Sequence, residues 1–201
     1  MKLICHRRNT LADLVATPSK YGVEIDVRSR GEELILHHDP FSDGVRFKEW
    51  LQAYKHGTLI LNVKEDGLEE PLTEFMKARG VVDYFFLDQS FPSLVKWSQS
   101  GERRCAVRVS EYESIETAMS LSGYVDWVWV DCFSQLSLNH SAALRLQRAG
   151  FKLCLVSPEL QGRDAATSIP SLMRLLHENE IDVEAVCTKR PDLWEEVASI
   201  A

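Results

Sequence analysis

Glu24, Asp26 and Arg28 stand at alternate positions in Val23-Glu24-Ile25-Asp26-Val27-Arg28. In an extended strand a period of two places these three on one face and Val23, Ile25 and Val27 on the other. Two carboxylates on an inward face are costly unless something offsets their charge. A cation shared between Glu24 and Asp26 would remove that cost. Other polar residues also close short apolar runs. Leu3-Ile4-Cys5 ends in His6-Arg7, and Thr58 to Val63 carries Asn62 with Lys64 two residues on. Later runs end in Asp88 and Ser90, in Arg108 and Ser110, in Asp131, in Ser157 and Glu159, and in Thr188 and Lys189. Strand ends meet solvent, which accounts for single cases such as Thr188 but poorly for an acid pair. Arg108 is an anion-binding candidate by its strand-end position alone.

These residues need a scaffold, and the apolar runs supply one. Eight of them recur: Leu3 to Cys5, Val23 to Val27, Thr58 to Val63, Tyr84 to Leu87, Cys105 to Val109, Val125 to Val130, Lys152 to Val156 and Val183 to Cys187. Helical spacing follows most of them, as in Leu11-Leu14-Val15, Leu72-Phe75-Met76 and Ile169-Leu172-Met173-Leu176. Gly80, Gly123 and Gly150 fall where helices should stop, and Pro92 and Pro191 where helices could start. Strand and helix in alternation predict a parallel sheet with crossover helices. At roughly 25 residues per unit, the expectation is α/β: a compact (β/α)8 TIM barrel with its chemistry at the C-terminal strand ends. A doubly wound open sheet is the competing arrangement. The second unit carries a hairpin-like insertion, Ser29 to Arg46, which delivers His37, His38 and Asp39. Nothing marks a linker, so residues 1–201 are expected to form a single domain, with an open site suited to a small or protruding ligand.

Composition narrows the function. Lys plus Arg total 23 and Asp plus Glu 30, for a net charge of −7, which argues against a partner that is a nucleic acid polymer. No apolar run approaches the ~18 residues of a transmembrane segment. Charge comes too early in Met1-Lys2-Leu3-Ile4-Cys5-His6-Arg7-Arg8 for a secretory h-region. The five cysteines are odd in number, widely spaced and set in or beside apolar runs. Buried reduced thiols and a cytoplasmic setting are expected.

The set His6-Arg7, Glu24-x-Asp26-Val27 and His38-Asp39-Pro40 resembles the glycerophosphodiester phosphodiesterase family, within the wider phosphatidylinositol-phospholipase-C-like barrels. Leu61-Asn62-Val63-Lys64, Gln89-Ser90-Phe91 and Cys187-Thr188-Lys189-Arg190-Pro191 extend the likeness along the chain. The resemblance implies a phosphoric diester hydrolase acting on a small glycerophosphodiester or a sugar- or nucleotide-linked phosphodiester. It implies Glu24 and Asp26, with Asn62 in the third position, as ligands of a divalent cation, Mg2+ or Ca2+. It implies His6 and His38 as the general acid/base pair, with His6 as base and His38 as acid or the two exchanged. Arg7 and Lys64 would then bind phosphate oxygens.

The chain departs from the family pattern at three places. Arg8 replaces a glycine, Asn62 replaces an acid, and Val156-Ser157 replaces a Trp-Thr pair. Asp88 or Glu65 could restore the missing charge. A barrel that binds a phosphorylated ligand without turnover is therefore a second reading. A Schiff-base role for Lys64 would need an apolar setting, which Glu24, Asp26 and Asn62 do not provide. His37 is expected to be structural or solvent-facing. Trp50 and Tyr54 would flank a pocket or cap the barrel.

Overall fold

The computed structural model describes residues 1–200, leaving Ala201 of the expected 1–201 domain outside the description. The chain forms two compact units, Ile4–Ser100 and Met1–Leu3 with Gly101 onward. In the first, the second half of β1 (Lys2–Cys5) leads through α1 (Leu11–Ala16) to β2 (Gly22–Arg30). Then come β3 (Glu33–Leu36), β4 (Val45–Arg46), α2 (Phe47–Ala53), β5 (Leu59–Val63), α3 (Glu69–Arg79), β6 (Tyr84–Leu87) and α4 (Phe91–Gln99). In the second unit β7 (Ala106–Val109), α5 (Ile115–Met119), β8 (Trp127–Val130) and α6 (His140–Arg148) are followed by β9 (Lys152–Val156), α7 (Ala165–Glu178), β10 (Ala185–Thr188) and α8 (Pro191–Ile200). The alternation read from the apolar runs is thus present throughout.

In the first unit β1, β2, β5 and β6 pair in parallel, with Asp26 opposite Asn62 and Glu24 opposite Ile60. This register puts the polar ends of β2 and β5 side by side. β2 runs longer than its apolar core because β3 folds back on it antiparallel, pairing Val27 to Arg30 with Leu36 to Glu33. β4, a two-residue strand too short to signal itself, extends that hairpin. In the second unit β7 to β10 pair in parallel, and the Lys2 amide donates to the Glu184 carbonyl beside β10 at 2.7 Å. The first strand therefore lies next to the last, an adjacency that a doubly wound sheet lacks.

Strands buried on both faces explain why their sequences run apolar without alternation. Ile60, Phe85, Val128 and Leu155 are fully buried, and all five cysteines are buried free thiols. Gly80 ends α3 in the left-handed region (φ 70°), its amide reaching the Met76 and Lys77 carbonyls. Gly22 is required for a different reason. A Cβ there would lie 2.5 Å from the Thr58 carbonyl oxygen and 2.9 Å from Ile4 Cγ1. Gly22→Ala is accordingly expected to destabilise the chain by about 1–3 kcal/mol, as overpacking does. Urea unfolding measures this, and an unchanged midpoint would mean that β2 shifts at no cost.

Candidate active site

At the end of β1 the chain turns through Arg7, which adopts a left-handed conformation (φ 52°). That turn aims the Arg7 amide at Glu24, donating to Oε2 at 2.7 Å, while the Arg8 amide donates to the Glu24 carbonyl at 2.8 Å. Trp50 holds the turn from outside. Its buried indole N–H donates to the Arg8 carbonyl at 2.8 Å, so α2 braces the turn. His6 comes with the same turn, its Nε2 3.9 Å from Glu24 Oε2.

Glu24 and Asp26 are both buried at the centre of this unit. Asn62 donates through Nδ2 to Glu24 Oε1 at 3.0 Å. Lys64 Nζ lies 3.2 Å from Asp26 Oδ1 and donates to Asp88 Oδ2 at 3.4 Å. Arg7 Nε stands 3.6 Å from Asp26 Oδ2. Burial, followed by the charge of Asp26, pushes Glu24 up to about 7, against the pull of the Arg7 amide, Asn62 and Lys64. An acid held at that point remains partly protonated near neutrality.

One member of the cluster escaped the sequence reading. Asn9 donates to Asp26 Oδ2 at 2.8 Å and accepts the Asp26 amide through Oδ1 at 2.9 Å. This reciprocal pair fixes the Asp26 carboxylate and its strand together. The only sequence signal is a polar residue just before the helix cap Thr10, a position where polar residues are commonplace.

The insertion brings up His38. Its Nδ1 is 2.8 Å from Asp39 Oδ1, and this hydrogen bond holds the Asp39 carboxyl below its ordinary range. Arg28 had no role assigned by sequence. Its Nε and a terminal nitrogen both donate to the His38 carbonyl, at 3.2 and 2.9 Å. Burial opposes ionisation of Glu65, but the Ser29 hydroxyl and amide and Arg28 hold it below the usual range. That acid is therefore engaged in bracing the hairpin. His37 Nδ1 accepts the Asp39 amide at 3.0 Å. Arg7, Asn9, His37, His38 and Asp39 line one cavity of about 560 Å³, with Leu36 and Val45 as its apolar wall.

Arg108 lies in the second unit, hydrogen-bonded to Asp131 and 3.8 Å from Glu113 Oε1. Among the described residues no three His, Cys, Asp or Glu side chains form a metal-binding group, and no helix is long and apolar enough to cross a membrane.

No family model matches the sequence, and no curated protein matches it. Solved structures do match in fold. A glycerophosphodiester phosphodiesterase from Agrobacterium tumefaciens str. C58 superposes with a TM-score of 0.70 at 17% identity, over 98% of this chain and 99% of that one. A glycerophosphoryl diester phosphodiesterase from Parabacteroides distasonis ATCC 8503 gives 0.68 at 13% identity, over 99% and 86%. The tryptophan synthase α-subunit of Pyrococcus furiosus, in a mutant form, also matches, at 0.57 and 14% identity over 93% and 86%. The fold is thus a TIM-barrel-like α/β fold, as the strand–helix alternation predicts. The same fold carries unrelated chemistries, so the activity has to be argued from the site.

Proposed function

We propose that the chain is a phosphoric diester hydrolase similar to the glycerophosphodiester phosphodiesterases, acting on a small diester in the cytoplasm. The observation that carries this reading is the pairing of buried Glu24 and Asp26 with His6 and the cations Arg7 and Lys64 at adjoining strand ends. The fold likeness supports it. The donor set also suits a hard divalent cation. Glu24 and Asp26 offer carboxylates, and the buried Oδ1 of Asn62 accepts no hydrogen bond. Glu24, Asp26 and Asn62 would hold Mg2+ or Ca2+, which when bound would withdraw charge from the phosphoryl oxygens.

The chain's own groups account for the rest. Arg7 and Lys64 bind non-bridging phosphate oxygens and orient the phosphorus for in-line attack. His6 accepts the proton of the attacking water or neighbouring substrate hydroxyl. His38 delivers a proton to the departing alkoxide, so the P–O bond breaks to a neutral alcohol. Asp39 orients the His38 ring and Arg28 its backbone.

A panel of glycerophosphodiesters assayed with Mg2+ or Ca2+ tests the reading, with phosphorus NMR separating hydrolysis from release of a cyclic phosphate. Turnover is expected with either cation and should vanish in EDTA; turnover that persists in EDTA contradicts the cation's part. One observation favours the second reading, ligand binding without turnover. The Lys64 ammonium, 3.2 Å from Asp26 Oδ1, supplies a positive charge where the cation would bind. Thermal stabilisation by phosphodiesters across the panel with no product would select it.

A further inference from the structure

Lys64 stands between two acids and does not meet them alike. Its Nζ lies 3.2 Å from Asp26 Oδ1 and 3.4 Å from Asp88 Oδ2. The shorter approach is not the hydrogen bond. Lys64 donates to Asp88, whereas Asp26 Oδ1 is buried and accepts no hydrogen bond. Charge alone therefore holds the ammonium beside Asp26.

The strands fix this arrangement. β5 and β6 pair Asn62 with Leu87, which sets Lys64 and Asp88 just past the ends of adjoining strands. The Lys64 amide donates to the Val27 carbonyl at 3.0 Å, so its backbone is tied to β2 and only the long side chain can shift. Asp88 has a φ of 60°, a left-handed conformation that Asp and Asn adopt more readily than most side chains. The turn would accept Asn equally well. What Asn would lack is the charge that faces Lys64.

That charge has a use in the function proposed above, on which this inference rests. There Asp26 holds a divalent cation while Lys64 binds phosphate. Two positive groups on one carboxylate repel each other, and burial strengthens the repulsion. We infer that Asp88 is a positioning residue that takes the Lys64 ammonium when a divalent cation binds Asp26. It offers a second carboxylate to which Lys64 is already hydrogen-bonded. Asp26 is then released to the cation, and Lys64 stays beside the site for phosphate. Without Asp88 the ammonium would rest on Asp26, and the cation would have to displace it.

Isothermal titration calorimetry with Mg2+ and with Ca2+, in the absence of substrate, tests this. Asp88→Asn is expected to lower the affinity for either cation about tenfold, within the range of coupling inside one salt-bridge network. Lys64→Met should raise the affinity, because the competing ammonium is gone. In the Lys64→Met background Asp88→Asn should change it by less than about twofold, since Asp88 acts through Lys64. A loss that persists at about tenfold in that background overturns the inference, because Asp88 would then act through its own charge. An unchanged affinity in Asp88→Asn alone also overturns it and leaves the hydrolase reading standing. If the native chain takes up neither cation, the cation's part in that reading fails and this inference falls with it. Melting in EDTA checks that each variant folds. Should Asp88→Asn not fold, Asp88→Gly, which the left-handed turn also accepts, carries the same comparison with the same outcomes.

Discussion

Replacing Glu24 by glutamine is expected to remove turnover and, in EDTA at pH 8, to raise the melting temperature. Both effects come from one carboxylate. Glutamine keeps the volume and retains an oxygen for the Arg7 amide, but it loses the charge that a cation and the phosphoryl chemistry would use. A fall in kcat of at least about 10²–10³ is expected, the scale on which a group that stabilises transition-state charge is lost. The stability change follows from linkage. Burial and then Asp26 raise Glu24 from 4.5 to about 7 in the folded chain. A group raised on folding contributes stability that is fully present below its unfolded value and is lost as pH climbs through the folded one. Native stability in EDTA should therefore decline between pH 4.5 and about 7, and the Glu24→Gln chain should lack that part of the decline. The readout is the difference between the two melts at pH 5, 6, 7 and 8, since other groups titrate in both. At pH 8 the variant should melt a few degrees higher, on the scale of about 2–4 °C per kcal/mol for a chain of this length. Mg2+ or Ca2+ should stabilise the native chain and leave the variant unmoved. Melting curves that run parallel across the whole range would mean that Glu24 is not held up by its surroundings.

The same residues explain how much of the site is legible in the sequence. Glu24 and Asp26 were legible because a strand has a period of two, and two acids on its inward face have no cheap structural account. Asn62 and Lys64 followed from parity on β5, and the register that sets Asn62 opposite Asp26 agrees with it. Contacts that depend on where a loop returns in space left no such trace. Asn9 binds Asp26 across a separation of 17 residues, and Trp50 reaches the Arg8 carbonyl across 42. Neither pairing has a periodicity, and Trp50 in particular shows only the apolar spacing of a core helix. The fold was more legible than the site, because strand–helix alternation is repeated eight times and each repeat supports the others. The two-residue β4 is the exception, being too short to bear a pattern.

His6→Ala and His38→Ala should fail differently, and the difference assigns the proton transfers. His6 sits on the Glu24 side of the cluster, 3.9 Å from its carboxylate. His38 is more exposed, lines the cavity and is hydrogen-bonded to Asp39, which holds the ring in place. An alkyl alcohol is a poor leaving group and needs a proton as it departs, whereas p-nitrophenol leaves as its anion. Each substitution should lower kcat/KM for a glycerophosphodiester with an alkyl alcohol by about 10²–10⁴. With a p-nitrophenyl ester, His38→Ala should recover to within about tenfold of the native rate, because the step it serves no longer needs an acid. His6→Ala should stay as impaired as before, because the nucleophile still has to lose its proton. Melting temperatures taken alongside separate loss of chemistry from loss of fold. Rescue of His6→Ala in place of His38→Ala would exchange the two roles. Equal impairment of both variants on both esters would mean that neither imidazole protonates the leaving group.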